Sequence, residues 1–159
     1  MLKTITLALL AALTACNGQP AAAPQSAVEQ VMRHPVSGLE VVPLTVRSNG
    51  REHRFRVEVA RTEAQQNHGL MERPPLGPDE GMIFPRNPPR IASFWMRDTP
   101  SPLDIIFIGP DNRIINIAAE TVPFSDTPVL SAAPASLVLE IRGGRAAELG
   151  IAAGDVVEW

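Results

Sequence analysis

The stretch SFWMRDTPSPLDIIFI, Ser93–Ile108, joins a polar and aromatic segment to an almost wholly apolar strand. Along Leu103–Ile108, side chains alternate between the two faces of a sheet, so Ile105 and Phe107 share one face and Asp104 shares the other with two isoleucines. Because both faces are apolar, this strand is predicted to be central in its sheet and covered on both sides. Asp104 is then a carboxylate within a buried strand, and it needs a partner.

The rest of the folded region consists of short strand patterns separated by turn signals. Ser-Asn-Gly at 48–50 predicts a hairpin between two β-rich runs. Thr62–Gln65 is a capping box that begins a short helix, Gly69 can end it, and a second short helix is predicted over 144–149. The predicted fold class is α+β, mostly β: a small antiparallel sheet, curled or closed into a barrel, with two short helices. Strands are predicted at 39–46, 53–60, 81–84, 91–97, 103–108, 113–119, 136–141 and 156–159.

The first sixteen residues, MLKTITLALLAALTAC, are typical of a bacterial lipoprotein signal. Lys3 supplies the positive charge, and the apolar run after it has signal-peptide length and is too short to span a bilayer comfortably. Residues 13–16, LTAC, resemble the lipobox, in which the chain is cut before a cysteine that carries lipid. An ordinary signal peptide is the alternative, but Cys16 is the only cysteine and lies where lipidation requires it.

These features predict three parts of the chain. Residues 1–15 are the signal peptide, residues 16–38 are a flexible tether rich in small residues and proline, and residues 39–159 are one domain. Lipid on Cys16 is expected to anchor the protein to a membrane of the cell envelope, facing the periplasm. Asn17 after the cysteine favours the outer membrane over the inner one.

Composition excludes several kinds of chemistry. With Cys16 lipidated, the domain has no thiol for a disulfide, a nucleophile or a Cys-type zinc site. Lys3 is the only lysine, which excludes Schiff-base chemistry in the domain. The formal net charge of −3 provides no basic field, so no nucleic-acid partner is predicted. No phosphate-binding glycine loop, nucleophile elbow or HExxH motif is present, and no cofactor is predicted.

The region from about Val46 to Val157 contains a series of short motifs in order: VEVA at 57–60, GLMER at 69–73, GMIF at 81–84, SFWMRDT at 93–99, PLDIIFI at 102–108, LEI at 139–141, LGI at 149–151 and GD at 154–155. These motifs resemble those of DUF192, a family of uncharacterised bacterial and archaeal domains that are often secreted or lipid-anchored. The resemblance implies a shared fold and a recurring surface, and it carries no reaction.

Asp98 and Asp104 are candidate catalytic or metal-binding carboxylates. The prolines between them can turn the chain so that the two approach each other, where they would share a proton, bind a hard cation or act as acid and base. The alternative, which we favour, is structural. Asp98 then caps a turn, and a buried Asp104 pairs with Arg73 or Arg97, because an unpaired buried carboxylate is costly.

Trp95 is a candidate stacking platform. If it is exposed, with Arg73 and Arg97 as cationic rims, it suits a sugar ring or an anionic glycan. Burial at the centre of the core is the favoured alternative in a chain with few aromatic residues.

Three methionines and a histidine form a further candidate site. Thioethers bind Cu(I), so Met71, Met82 and Met96 are candidate copper ligands, with His68 nearby. Core packing is the favoured role for them, since methionine commonly fills gaps in a core.

The leading functional hypothesis is a lipid-anchored, non-catalytic binding or accessory module for an envelope glycan or a partner protein. Its candidate site comprises Arg73, Trp95, Arg97, Asp98 and Asp104. The first alternative is a hydrolase or lyase that acts on an envelope polysaccharide through the two aspartates. The second is copper handling through the methionines.

Overall fold

The structure is a computed structural model that describes residues 31–159. The predicted signal peptide, Cys16 and the first part of the tether lie outside the described residues. The described part contains nine strands and two short helices. They are β1 (Val41–Ser48), β2 (Arg51–Val59), α1 (Glu63–His68), β3 (Glu80–Arg90), β4 (Ser93–Phe94), β5 (Leu103–Ile108), β6 (Ile114–Ala118), β7 (Val129–Leu130), β8 (Ala135–Arg142), α2 (Arg145–Leu149) and β9 (Val156–Glu158).

Seven strands form one curled sheet in the order β6-β5-β8-β3-β2-β1-β9, and β4 pairs with β7 in a small second sheet. This confirms the mostly β fold class with two short helices. One pair departs from the antiparallel prediction, because β2 and β3 run parallel. Parallel neighbours need a crossover connection, and α1 with the loop after it, residues 60–79, provides one.

Local turn and capping signals are confirmed. Asn49 and Gly50 both have positive φ, 50° and 74°, as the two-residue turn between β1 and β2 requires. The Thr62 side chain accepts a hydrogen bond from the Gln65 amide, and the Gln65 side chain accepts one from the Thr62 amide.

Each face of the large sheet carries its own apolar cluster, and β5, whose six residues are all buried, contributes to both. The predicted central, doubly covered strand is therefore confirmed. We call the two sides the α2 face and the loop face, after what covers them. The α2 face includes Val46, Val57, Ile106, Leu139, Ile141 and Ala146. The loop face includes Leu70, Met82, Phe84, Met96, Ile105 and Phe107.

The described part begins before the predicted start of the domain. The His34 amide donates to the Leu39 carbonyl, and the Val41 amide donates to the Met32 carbonyl. Residues 31–38, which the sequence assigns to the tether, thus form a tight turn that leads into β1. Among residues 31–159, no helix is long and apolar enough to cross a membrane.

The segment predicted as a strand over 91–97 is mostly irregular, and only Ser93–Phe94 forms β4. Its partner β7 was not predicted, because a two-residue strand has too little pattern to recognise. Beyond β4 the chain turns: the Met96 amide donates to the Ser125 carbonyl, and Asp98 has a positive φ of 51°.

Candidate functional site

One row of the large sheet carries two buried glutamates. On the loop face, Glu58 of β2, Met82 of β3, Glu140 of β8 and Ile105 of β5 are neighbours on consecutive strands. Glu58 is 3% exposed and Glu140 is 4% exposed. An ionised carboxylate in such surroundings is costly unless it is paired. The two glutamates differ in whether the described residues provide such a partner.

Glu58 is paired. Arg73 donates to its two oxygens at 2.8 and 3.1 Å, which is a bidentate ion pair between buried side chains. The Ser37 hydroxyl donates to the same carboxylate, and Nδ1 of His34 lies 3.6 Å from it. Residues before β1 therefore cover this ion pair.

Glu140 has no such partner among the residues that the structure describes. Its neighbours in the sheet row, Met82 and Ile105, are apolar and fully buried. Burial raises the pKa of Glu140 to about 8. At neutral pH its carboxyl is therefore mostly protonated and can donate a hydrogen bond as well as accept one.

Glu140 lines a pocket of about 440 Å³ on the loop face. This volume lies within the range of small-ligand sites, roughly 300–1,000 Å³. Helix α1 forms one side, and Gln66 holds it in place by donating to the carbonyls of Ala60 and Pro85. The pocket is also lined by Glu63, His68, Met71, Phe84, Arg86, Arg90, Ser93, Phe94, Trp95 and Thr99.

Aromatic rings form another side of the pocket. Phe94 packs edge-on against Phe84, with ring centroids 5.0 Å apart, and against Phe107 at 6.2 Å. Trp95 also lines the pocket but is 46% exposed, and the Arg97 guanidinium lies 4.6 Å from the centre of its ring.

The expectation that Trp95 is buried is therefore wrong. Alternation along this segment directs Phe94 inward and Trp95 outward, and Met96 is buried in the core. The aromatic residue that completes the core is Phe94.

Two arginines add positive charge to the pocket. Neither Arg86 nor Arg90 forms an ion pair within residues 31–159, and the Nε of Arg86 is buried without a hydrogen-bond partner there. Burial, and secondarily the charge of Arg90, lowers the pKa of Arg86. The pocket therefore favours a ligand that brings negative charge.

Asp104 lies outside this pocket. Its side chain is fully buried, and one oxygen accepts from the amides of Glu120 and Gly144 at 2.8 and 2.9 Å. The other oxygen accepts from the Ala146 amide at 2.8 Å. The expected pairing with arginine is wrong, because backbone amides at the start of α2 and in the turn after β6 satisfy this carboxylate.

Asp98 is exposed in the turn after β4, where its carbonyl accepts from the Glu72 amide at 2.7 Å. The hydrolase or lyase hypothesis required Asp98 and Asp104 as a carboxylate pair in an open cleft. Asp104 is buried and its oxygens are occupied by amides, so the structure does not form that pair.

The five predicted site residues thus occupy different surroundings. Trp95 lines the pocket, and Arg97 stacks on its ring. Arg73 is bound to Glu58. Asp98 is exposed in the turn after β4, and Asp104 is buried and bonded to backbone amides.

Glu140 was not identified from the sequence as a site residue, although its position there is unusual. It is an acidic residue within the apolar run LVLEI at 137–141, the same signal that drew attention to Asp104.

Core packing is confirmed for Met82 and Met96, which are fully buried on the loop face. The sulfur of Met96 accepts a hydrogen bond from the Thr121 hydroxyl at 3.0 Å. Met71 is half-buried and lines the pocket. Among residues 31–159, no group of three or more His, Cys, Asp or Glu side chains is placed to hold a metal ion.

Residues 44–159 match the model of DUF192, a family described as an uncharacterized ACR. The match covers most of the chain, and the protein belongs to this family. The resemblance drawn from the sequence motifs is thereby confirmed. No curated protein matches the chain.

Two crystal structures share the fold. A protein of unknown function from Novosphingobium aromaticivorans DSM 12444 is 58% identical, covers 80% of this chain and 91% of its own, and has a TM-score of 0.79. A protein from Sinorhizobium meliloti 1021, described as a candidate transcription regulator, is 35% identical. The match covers 76% of this chain and 94% of that protein, with a TM-score of 0.73.

Proposed function

We propose that this protein is a lipid-anchored, non-catalytic binding module of the cell envelope, and that the Glu140 pocket binds a saccharide of an envelope glycan. The observation that carries the proposal is the carboxyl group of Glu140, which is buried, has no partner among residues 31–159, and lines a pocket with aromatic rings on one side. A buried polar group without a protein partner is costly, and a ligand that hydrogen-bonds to it recovers that cost.

The chemistry of the lining supports a sugar. Rings such as those of Phe94 and Trp95 pack against the apolar C–H groups of a pyranose. The protonated Glu140 carboxyl both donates and accepts, as a sugar hydroxyl does, and Ser93 and Thr99 add hydroxyl groups. The lining is mostly polar, with aromatic rings on one side, and this combination suits a ligand that carries many hydroxyl groups on an apolar ring.

Binding is favoured over catalysis and over nucleic-acid recognition. Asp104, which the hydrolase or lyase alternative needs, is held by three backbone amides. A hydroxyl nucleophile needs an adjacent base such as histidine. Among the described residues, the Thr99 hydroxyl donates instead to the Arg97 carbonyl and is not hydrogen-bonded to a histidine. The net charge of −3 provides no basic field for a nucleic-acid partner.

Saccharide binding can be measured by thermal shift and calorimetry on the purified protein, with peptidoglycan fragments and their component sugars. A ligand at a hundred times its dissociation constant stabilises the folded state by about 2.7 kcal/mol, which is roughly 10 °C for this size. Trp95→Ala is expected to weaken binding at least tenfold, because the Trp95 ring lines the pocket.

Trp159→Ala is the matched control. Trp159 is 49% exposed and lies after β9, away from the pocket lining, so its removal should leave affinity unchanged. No binding by any saccharide, or equal loss in both variants, would contradict the proposed site and direct the search to a protein partner.

The lipid anchor has its own test. Cys16→Ala removes the group that lipidation needs, so the variant should move from the membrane fraction to the soluble periplasmic fraction. A variant that remains in the membrane fraction would contradict the anchor. Ala15→Gly, which keeps a small residue before the cysteine, should leave the protein in the membrane fraction.

A further inference from the structure

The pocket contains hydrogen-bonding capacity that residues 31–159 leave unused. The Nε of Arg86 is buried and has no partner in the described part of the chain. The Arg86 guanidinium lies 5.2 Å from the centre of the Phe94 ring, and Arg90 on the same strand adds a second positive charge. By contrast, Arg73 and Arg97 have acidic partners. Arginine binds carboxylates through paired donors, and an anion would satisfy both the charge and the buried N–H.

Glu140 imposes a second condition on that anion. No described cation contacts its carboxyl, and apolar Met82 and Ile105 flank it. Ionised Glu140 would be a buried negative charge in the same pocket as the ligand anion, and the two would repel each other. The anion is therefore compatible with the pocket only when Glu140 holds a proton.

None of the other described charged groups around Glu140 forms an ion pair that would offset the negative charge of its ionised carboxylate. Helix α1 contributes Glu63 and His68 to the pocket, and β3 contributes Arg86 and Arg90. Glu58, in the same sheet row, is neutralised by its ion pair with Arg73.

We propose that the saccharide bound here is a sugar acid, whose carboxylate is held by Arg86 and Arg90 while protonated Glu140 donates a hydrogen bond to the ligand. The inference rests on the proposed saccharide-binding function and specifies its ligand class and its pH dependence. Ligand and proton bind together, so affinity falls once Glu140 ionises. With a pKa of about 8, the affinity should fall about tenfold between pH 7 and pH 9.

The test uses two pairs of sugars that differ by a carboxylate: N-acetylmuramic acid against N-acetylglucosamine, and glucuronic acid against glucose. Calorimetry on the purified protein at pH 7 and pH 9 gives the four affinities. We expect at least one acid to bind tenfold or more tightly than its neutral counterpart at pH 7, and to lose about tenfold at pH 9. Arg86→Gln should reduce the preference for the acid.

Glu140→Gln separates the proton from the shape of the side chain. The amide still donates a hydrogen bond but does not titrate, so the acid should bind with similar affinity at pH 7 and pH 9. Glu63→Gln changes an exposed carboxylate of the same pocket and is expected to keep the pH dependence. Circular dichroism confirms that each variant is folded.

The outcomes separate the two proposals. If acidic and neutral sugars bind equally well, the sugar-acid inference is overturned and the saccharide-binding function stands. If the pH dependence persists in Glu140→Gln, another group carries the proton and the role of Glu140 is overturned. If none of the four sugars or larger glycan fragments binds, the proposed function itself fails.

Discussion

Glu140→Gln should raise the free energy of unfolding at pH 8 by about 4 kcal/mol and leave it nearly unchanged at pH 4. In the unfolded chain the Glu140 carboxyl loses its proton near its ordinary pKa of 4.5, whereas in the folded protein it keeps the proton to about pH 8. Folding therefore takes up a proton between these values. The stability of the parent protein is highest below about pH 4.5 with respect to this group and falls until about pH 8.

The amide of the variant does not titrate, so its stability should not show this decline. Denaturant unfolding at pH 4, 6 and 8 measures the difference, which corresponds to roughly 15 °C in the midpoint at pH 8 for a domain of this size. Glu63→Gln is the control, because Glu63 is exposed and its replacement should not change this slope. A parent protein whose stability is constant from pH 5 to pH 8 would mean that Glu140 has a cationic partner in solution.

Asp104→Asn is expected to lower the free energy of unfolding by about 4 kcal/mol. The carboxylate accepts three amide hydrogens with two oxygens, from Glu120, Gly144 and Ala146. Asparagine has one acceptor oxygen and an NH₂ group, so at least one buried amide would face another donor. Charge-assisted bonds to the remaining amides would also be lost.

Asp98→Asn is the matched control for this substitution. Asp98 is exposed and has a positive φ of 51°, a conformation that asparagine adopts readily, so its change should be within about 0.5 kcal/mol. Urea unfolding of the two variants at pH 7 gives the comparison. Equal, small effects would mean that the amides around Asp104 find other partners, and that this carboxylate does not join β5 to α2.

Local features were predictable from the sequence because their causes lie within a few residues. The turn at Asn49-Gly50 depends on two residues that accept positive φ. The capping box depends on Thr62 and Gln65 being three residues apart. The burial of β5 follows from its run of apolar side chains, which leaves neither face suitable for water.

The candidate site was predicted less well because it depends on strand order. The row that places Glu58, Met82, Glu140 and Ile105 side by side joins β2, β3, β8 and β5, which are distant along the chain. An acidic residue in an apolar strand shows that a partner or a special environment is required. It does not show which strand lies beside it, so the partners of Asp104 and the isolation of Glu140 could not be inferred.

The fold class, the family and the need to explain an acidic residue in each of two buried strands were readable in the order of the amino acids, because propensity and alternation act over short distances. The tertiary structure was needed to show that Asp104 is satisfied by backbone amides, that Glu58 is neutralised by Arg73, and that Trp95 is exposed. It was needed equally to show that Glu140 lines a pocket with its carboxyl unpaired in the described residues. The environment of a buried charge is set by groups brought together across the sheet, and their proximity has no local signature.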